Sequence, residues 1–244
     1  GNLTENMIGM NMLSLDGLVK KAICAHLGMG KVFGEAVGNN KFPAFGIPLG
    51  VINHLYRAIA GKEPGVLTKI GIDTFADPRI EGCSLNELAK REEPIVELIK
   101  IDRKDYLFYK SFPINVALIK ATYADVDGNI SFEHEAVISE QFSMAAAAHN
   151  CGGIVIVQVE DIKPKGSLKA KDCLIHNKLV DYVVITKPDE SLGDYNLPIY
   201  RPELTGESKI EINIEPYPLN IRKVCARRSA MEIKRGDMIN LGVG

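Results

Sequence analysis

Apolar residues along this chain switch between two periods, and the switches mark its elements. Leu15, Leu18, Val19, Ile23 and Leu27 recur at helical spacing behind Asp16, a residue able to cap a helix start, and predict a first helix over residues 15–28. A second helix is expected over 30–38, ending at the stop signal Gly38-Asn39-Asn40. Pro43-Ala44-Phe45 reads as a short strand running into a turn, Gly46-Ile47-Pro48-Leu49-Gly50. A third helix follows over 51–60, closed by Gly61 and Pro64.

The middle is strand-rich. Two apolar runs, 94–99 and 105–109, flank the charged stretch Asp102-Arg103-Lys104-Asp105 and read as a hairpin or meander. Residues 116–123 predict one buried strand, closed by the turn Asp125-Val126-Asp127-Gly128-Asn129. An alanine-rich helix is expected over 136–149, stopped at Asn150-Cys151-Gly152-Gly153. The near-continuous apolar strand Ile154-Val155-Ile156-Val157-Gln158-Val159 comes next, and residues 180–186 repeat that character. Helix, glycine stop, fully apolar strand is the order of a parallel sheet covered by helices. Residues 187–218 crowd prolines and charges into a long excursion, after which 221–233 resumes helical spacing before a final short strand. The fold class is therefore α/β: a mainly parallel twisted sheet with helices on both faces and an inserted antiparallel meander around 92–112. No internal repeat is visible.

Composition narrows the class. With 244 residues, 46% of them hydrophobic, the chain can bury a substantial core. Its 29 basic and 31 acidic residues leave a net charge of −2, so nothing suggests a polyanion partner and no nucleic acid is expected. Cys24, Cys83, Cys151, Cys173 and Cys225 are odd in number and lack C-x-x-C spacing, so free thiols in a reducing, cytoplasmic setting are expected. No apolar run approaches the roughly 18 residues of a membrane span, and no membrane partner is expected.

The chemistry-bearing residues are sparse. His26, His54, His134, His149 and His176 form no H-x-x-x-H or H-E-x-x-H pair, so no metal site is expected. Cys151 beside His149 is poorly placed for a thiol and its base, because neighbouring helix positions point about 100° apart; a small residue filling a helix-to-strand turn is the better account. Asn150 with Gly152 reads as a helix C-cap. Asp125 and Asp127 before Gly128-Asn129 fit an Asx turn better than a calcium loop, since no bidentate glutamate follows at the required spacing. Gly28, Gly30 and Gly34 follow no strand in this reading, which argues against a dinucleotide fingerprint and for close helix packing. Arg227-Arg228 could grip phosphates but read first as surface residues of an amphipathic helix.

Several blocks, taken together and in order over residues 15–244, resemble the family I CoA-transferases of the long-chain propionate and acetate group. They are Pro64-Gly65-Val66-Leu67-Thr68-Lys69-Ile70-Gly71, Thr74-Phe75-Ala76-Asp77-Pro78-Arg79, Pro113-Ile114-Asn115-Val116-Ala117-Leu118-Ile119, Thr122-Tyr123-Ala124-Asp125, Asp127-Gly128-Asn129-Ile130-Ser131, Asn150-Cys151-Gly152-Gly153 and Val180-Asp181-Tyr182. The resemblance implies Rossmann-like layers in two similar halves, and CoA exchanged between a short-chain acyl-CoA and a carboxylic acid through a glutamyl-CoA thioester. It also implies a homo-oligomer, CoA as a substrate with no permanently bound cofactor, and acyl-CoA and small carboxylic acids as the partners. On this reading residues 1–220 are an N-terminal half incomplete at its start. Residues 221–244 open the C-terminal half, and the sequence reads as cut at Gly242-Val243-Gly244. The reactive glutamate would lie outside the chain, so no catalytic residue is assigned within it and the chain alone is expected to be inactive.

The resemblance places Leu49, Gly50, Asp73, Thr74, Phe75, Gly242 and Gly244 around the substrate. Two departures stand out. Relatives show glutamine where Leu49 stands, and leucine donates no hydrogen bond. They show Gly-x-Gly-Thr-Phe where this chain reads Gly71-Ile72-Asp73-Thr74-Phe75, and Asp73 is expected to repel an anion. These departures support an alternative: a catalytically degenerate relative serving as a binding or assembly module. A ribose-phosphate isomerase-like enzyme sharing only the fold would need an acid, base and phosphate-binding cluster that the sequence does not offer.

Overall fold

The computed structural model describes residues 9–28, 30–186, 200–211 and 215–240. Near the start, a 3-10 turn at Gly9–Ser14 leads to strand β1 (Ala22–Cys24), helix α1 (Lys31–Gly38) and strand β2 (Ala44–Gly46). β1 and β2 pair in parallel, with Ala22 opposite Ala44 and Cys24 opposite Gly46, and α1 makes the crossover. Ala22, Phe33, Ala36, Val37, Phe42 and Ala44 form the small core between them.

The helix expected over 15–28 is not there. Gly17 takes a φ of +83°, a left-handed break inside the helical pattern. Leu15 and Leu18, two of its apolar markers, are 54% and 60% exposed. The ladder to β2 claims Ala22-Ile23-Cys24 instead, so a parallel pairing outweighs a short helical period.

Helix α2 (Leu49–Ala60) buries Val51, Ile52, Leu55, Ala58 and Ile59 along one side. This face packs with Phe45, Val96, Leu107 and Tyr109 in the largest core. Strands β3 (Gly65–Thr68), β4 (Val96–Ile101) and β5 (Lys104–Lys110) form an antiparallel sheet in the order β3-β5-β4. This is the expected meander, with β3 as a member that its sequence did not announce. Asp102 and Arg103 turn the hairpin with φ values of +49° and +63°, the double left-handed step that matches strand twist in a two-residue turn.

The run 116–123 divides between two sheets, as β6 (Val116–Lys120) and β7 (Tyr123–Asp125). β8 (Ile130–Ser131) pairs back onto β7. Between them, Asp125 accepts hydrogen bonds from the backbone of Asp127 and Asn129 at 3.0 and 2.9 Å and from Asn129 Nδ2 at 2.9 Å, which makes the Asx turn. Helix α3 (Gln141–Asn150) then precedes β9 (Ile154–Val159), β10 (Asp161–Lys163), β11 (Cys173–Ile175) and β12 (Tyr182–Ile185). β6, β9 and β12 form a parallel sheet in the order β12-β9-β6, as the apolar runs implied. Ala145 and Ala148 of α3 pack against its inner residues Ala117, Ile119, Val155 and Val157. On the other face Leu118 is 74% exposed and Val116, Tyr182 and Val184 are exposed too.

Two helices close the described chain, α4 (Pro202–Thr205) and α5 (Ile221–Ala230). Asn220 caps α5 by accepting from Lys223 N at 2.9 Å. Residues 237–240, expected to start a strand, are in none. Among the described residues, no helix is long and apolar enough to cross a membrane.

Candidate functional site

In open α/β sheets ligands gather beyond the carboxyl ends of parallel strands. Here β2 is held on one side by β1 and on the other by residues 83–85. Gly46 N donates to Cys83 O at 2.8 Å, Leu85 N to Ala44 O at 2.8 Å and Ile47 N to Cys24 O at 2.9 Å. The chain leaves β2 through Ile47-Pro48 straight into α2. The expected turn at 46–50 is thus half loop, half helix.

Pro48 occupies the N-cap position of α2 and offers no side-chain cap. The first N–H groups of a helix have no partner inside it, so Leu49 and Gly50 present backbone donors at the positive end of α2. Both residues are exposed, and a Cβ added to Gly50 would meet nothing within 4 Å. Phe75 stands over the end of the same strand. A Cβ on Gly46 would lie 3.2 Å from Phe75 Cε2 and 2.9 Å from Leu85 Cδ2, so glycine lets both side chains lie close over the strand end. Leu49, Phe75 and Leu85 are 65%, 46% and 36% exposed, large apolar side chains beside a polar helix end.

The residues before Phe75 shape its loop. Thr74 Oγ1 donates to Gly71 O at 2.7 Å and accepts from Ala76 N at 3.2 Å, so the hydroxyl belongs to the turn. Asp73 has a φ of +59°, a left-handed backbone conformation that favours glycine. Its carboxylate is not a bare charge: Arg79 Nη2 lies 3.2 Å from Oδ1. That guanidinium is shared with Asp77 and Asp105, so the cluster keeps an excess of negative charge. Asp73→Gly is expected to change stability by less than about 1 kcal/mol, whereas Asp73→Val should lose about 1–2 kcal/mol through the left-handed backbone. Urea midpoints of the two variants check this.

Arg79 is the hub the sequence reading did not single out. It donates to fully buried Asp77 through its backbone N at 3.0 Å, Nε at 2.9 Å and Nη2 at 2.6 Å, and reaches Asp105 at 3.3 Å. Asp73 N adds a bond to Asp77 at 3.0 Å. The Arg79 guanidinium, aided by these N–H groups, holds the Asp77 carboxyl far below the usual carboxylate range. The triplet Asp77-Pro78-Arg79 was the available signal.

Thiol chemistry is not favoured nearby. Burial raises the Cys24 thiol and pushes Cys83 up to about 12. Cys151 is the C-cap residue of α3, followed by Gly152 at φ +75°, and Asn150 Nδ2 donates to Ala60 O at 2.7 Å, tying α3 to the end of α2. Arg227 and Arg228 lie exposed on α5, with Arg228 paired to Glu232. Among the described residues, no group of three His, Cys, Asp or Glu is disposed to hold a metal ion. Leu49, Gly50 and Phe75 thus come to one strand end, Asp73 and Thr74 support the loop carrying Phe75, and Gly242 and Gly244 lie outside the described residues.

The family model described as coenzyme A transferase matches residues 2–186. A caffeate CoA-transferase of Acetobacterium woodii is 45% identical over 97% of this chain and 45% of its own length. Acetate CoA-transferase YdiF of Escherichia coli strain K12 is 38% identical over 97% of this chain and 44% of its own. The crystal structure of the YdiF apoenzyme from E. coli O157:H7 superposes with a TM-score of 0.87 at 36% identity, covering 98% of this chain and 44% of that one. The chain spans about half the length of the curated relatives it matches.

Proposed function

The chain belongs to the coenzyme A transferase family, and from that premise we propose that it forms the first half of an enzyme moving CoA between a short-chain acyl-CoA and a carboxylic acid. The observation that carries this reading is the 45% identity, held across 97% of the chain, to a caffeate CoA-transferase. In the proposed reaction a glutamate outside these residues attacks the thioester carbonyl. The carbon–sulfur bond breaks, CoA thiolate leaves and a mixed anhydride remains. Thiolate attack on the glutamyl carbonyl then gives the glutamyl-CoA thioester and frees the first acid; the incoming acid reverses these steps.

The chain's own part is to bind and polarise. Each addition places negative charge on a carbonyl oxygen, and fixed backbone donors stabilise such charge. The free N–H groups of Leu49 and Gly50 are suited to that task. Leu49, Phe75 and Leu85 supply an apolar wall for a short acyl chain. A leucine at position 49 withholds a side-chain amide, and this favours the second reading, a module that binds or assembles without transferring.

Intact-mass spectrometry separates the readings. Incubated with acetyl-CoA or propionyl-CoA, the 26.7 kDa polypeptide alone is expected to gain no adduct. Protein carrying the second half should gain a CoA-sized adduct that hydroxylamine removes. An adduct on residues 1–244 alone would overturn the placement of the glutamate. None on the longer protein would favour the assembly module.

A further inference from the structure

We infer that the face of the parallel sheet turned away from α3 is a docking surface for an amphipathic helix of the same protein, contributed from outside residues 1–244; the inference rests on that part of Proposed function which makes this chain one half of a longer enzyme. The sheet β12-β9-β6 is covered on one side, where Ala145 and Ala148 of α3 meet Ala117, Ile119, Val155 and Val157. Register sets the opposite side chains in rows. Leu118, Ile156 and Tyr182 stand level across the three strands, with Val116 and Ile154 one row before them and Lys120, Gln158 and Val184 one row after. Leu118 and Tyr182 are 74% and 59% exposed, and Val116, Ile154 and Val184 are exposed as well.

A sheet face that meets water carries polar side chains at its outward positions. In these rows every outward position except Lys120 and Gln158 is apolar, and Lys120 is already paired with Glu135. Contiguous apolar surface of this kind marks an interaction site. Parallel sheets have both faces covered, and the cover is helical because crossovers lay helices there. Strands lie about 4.8 Å apart, so three of them span roughly 10 Å, the diameter of one helix with its side chains. A second copy docked here would instead set sheet against sheet, the packing of antiparallel sandwiches. Relatives hold polypeptide enough for the cover. The caffeate CoA-transferase is matched over 45% of its length, and the YdiF apoenzyme structure over 44% of its chain, although the superposition takes in 98% of this one.

The test uses the full-length protein. Leu118→Cys and Val184→Cys, treated with a maleimide in the native state and read by peptide mass spectrometry, should label at least about a hundredfold more slowly than Val126→Cys, because a covered thiol waits for local opening. Val126 is 63% exposed in the Asx turn, away from this face. Two positions on the face keep the result independent of how well either variant folds. Labelling of both as fast as Val126→Cys would overturn the inference. Photoreactive leucine incorporated in place of leucine then identifies the cover. A link from Leu118 to a peptide outside residues 1–244, in a product of single-chain mass, is expected; a product of twice that mass joined at Leu118 would give the face to a second copy and overturn the inference. CoA adduct formation is scored on the same protein. Protection at Leu118 without an adduct keeps the inference and removes the exchange reaction, whereas an adduct with an open face removes the inference alone.

Discussion

Gly153→Ala is expected to cost about 3 kcal/mol or more, at the upper end of what overpacking costs in well-packed interiors. A Cβ at Gly153 would stand 2.4 Å from Asn115 O, 2.7 Å from Asn115 C and 2.7 Å from Ile114 O. All three are backbone atoms, fixed by the ladder they introduce: Ile154 N donates to Asn115 O at 2.8 Å, and Val116 opposite Ile154 starts five parallel pairs between β6 and β9. No rotamer change relieves the clash. Either β6 moves off β9, or the end of α3 shifts and disturbs Ala145 and Ala148 against Val155 and Val157. Against total stabilities of about 5–15 kcal/mol for ordinary domains, such a loss would leave much of the protein unfolded at modest denaturant. Gly152→Ala is the control. Gly152 has a φ of +75° but open space around its Cα, so alanine there should cost only about 1–2 kcal/mol of backbone strain. Urea unfolding followed by circular dichroism ranks the two, and equal losses would refute close backbone approach as the reason for Gly153.

The pair also shows what the sequence could and could not convey. Gly152-Gly153 announced a helix stop before a strand, and the stop is there. The two glycines serve different needs, though, and only the second reflects a partner 38 positions earlier in the chain. Long apolar runs and the hairpin were legible because their signals are local: β9, β12, α3, β4 and β5 fall within a few residues of expectation. Errors arose where a distant partner decides. Residues 22–24 join β2, and residues 121–122 pass the chain from one sheet to another. Leu49 and Phe75, placed near the substrate by resemblance, each lie by the end of β2: Leu49 opens α2 three residues after Gly46, and Phe75 packs over Gly46. Asp73 has a partner that the sequence did not announce, Arg79, which reaches it across a turn.

Asp77 makes the loop behind Phe75 sensitive to acid. Its side chain is fully buried and takes charge-assisted bonds from Arg79 and backbone bonds from Asp73 and Arg79. These interactions hold its folded-state pKa well below the value near 3.9 of an unfolded aspartate. A depressed folded pKa means that the unfolded chain takes up the proton first. The stabilisation is therefore complete above the unfolded pKa and is lost as pH falls below it towards the folded one. Asp77→Asn keeps the shape but turns an amide N–H₂ towards donors. At pH 7 it should lose about 2–3 kcal/mol, the worth of hydrogen bonds to a charged group. That gap should narrow steadily from pH 5 to pH 2.5, because acid deprives the unsubstituted protein of the same charge. Comparing the two proteins at each pH cancels the contributions of the other carboxylates, Asp125 among them, whose pKa is also lowered. A gap that stays constant across that range would show that Asp77 acts by shape alone. A gap that closes would establish the Asp77–Arg79 pair as the electrostatic support of the loop that sets Phe75 over the end of β2.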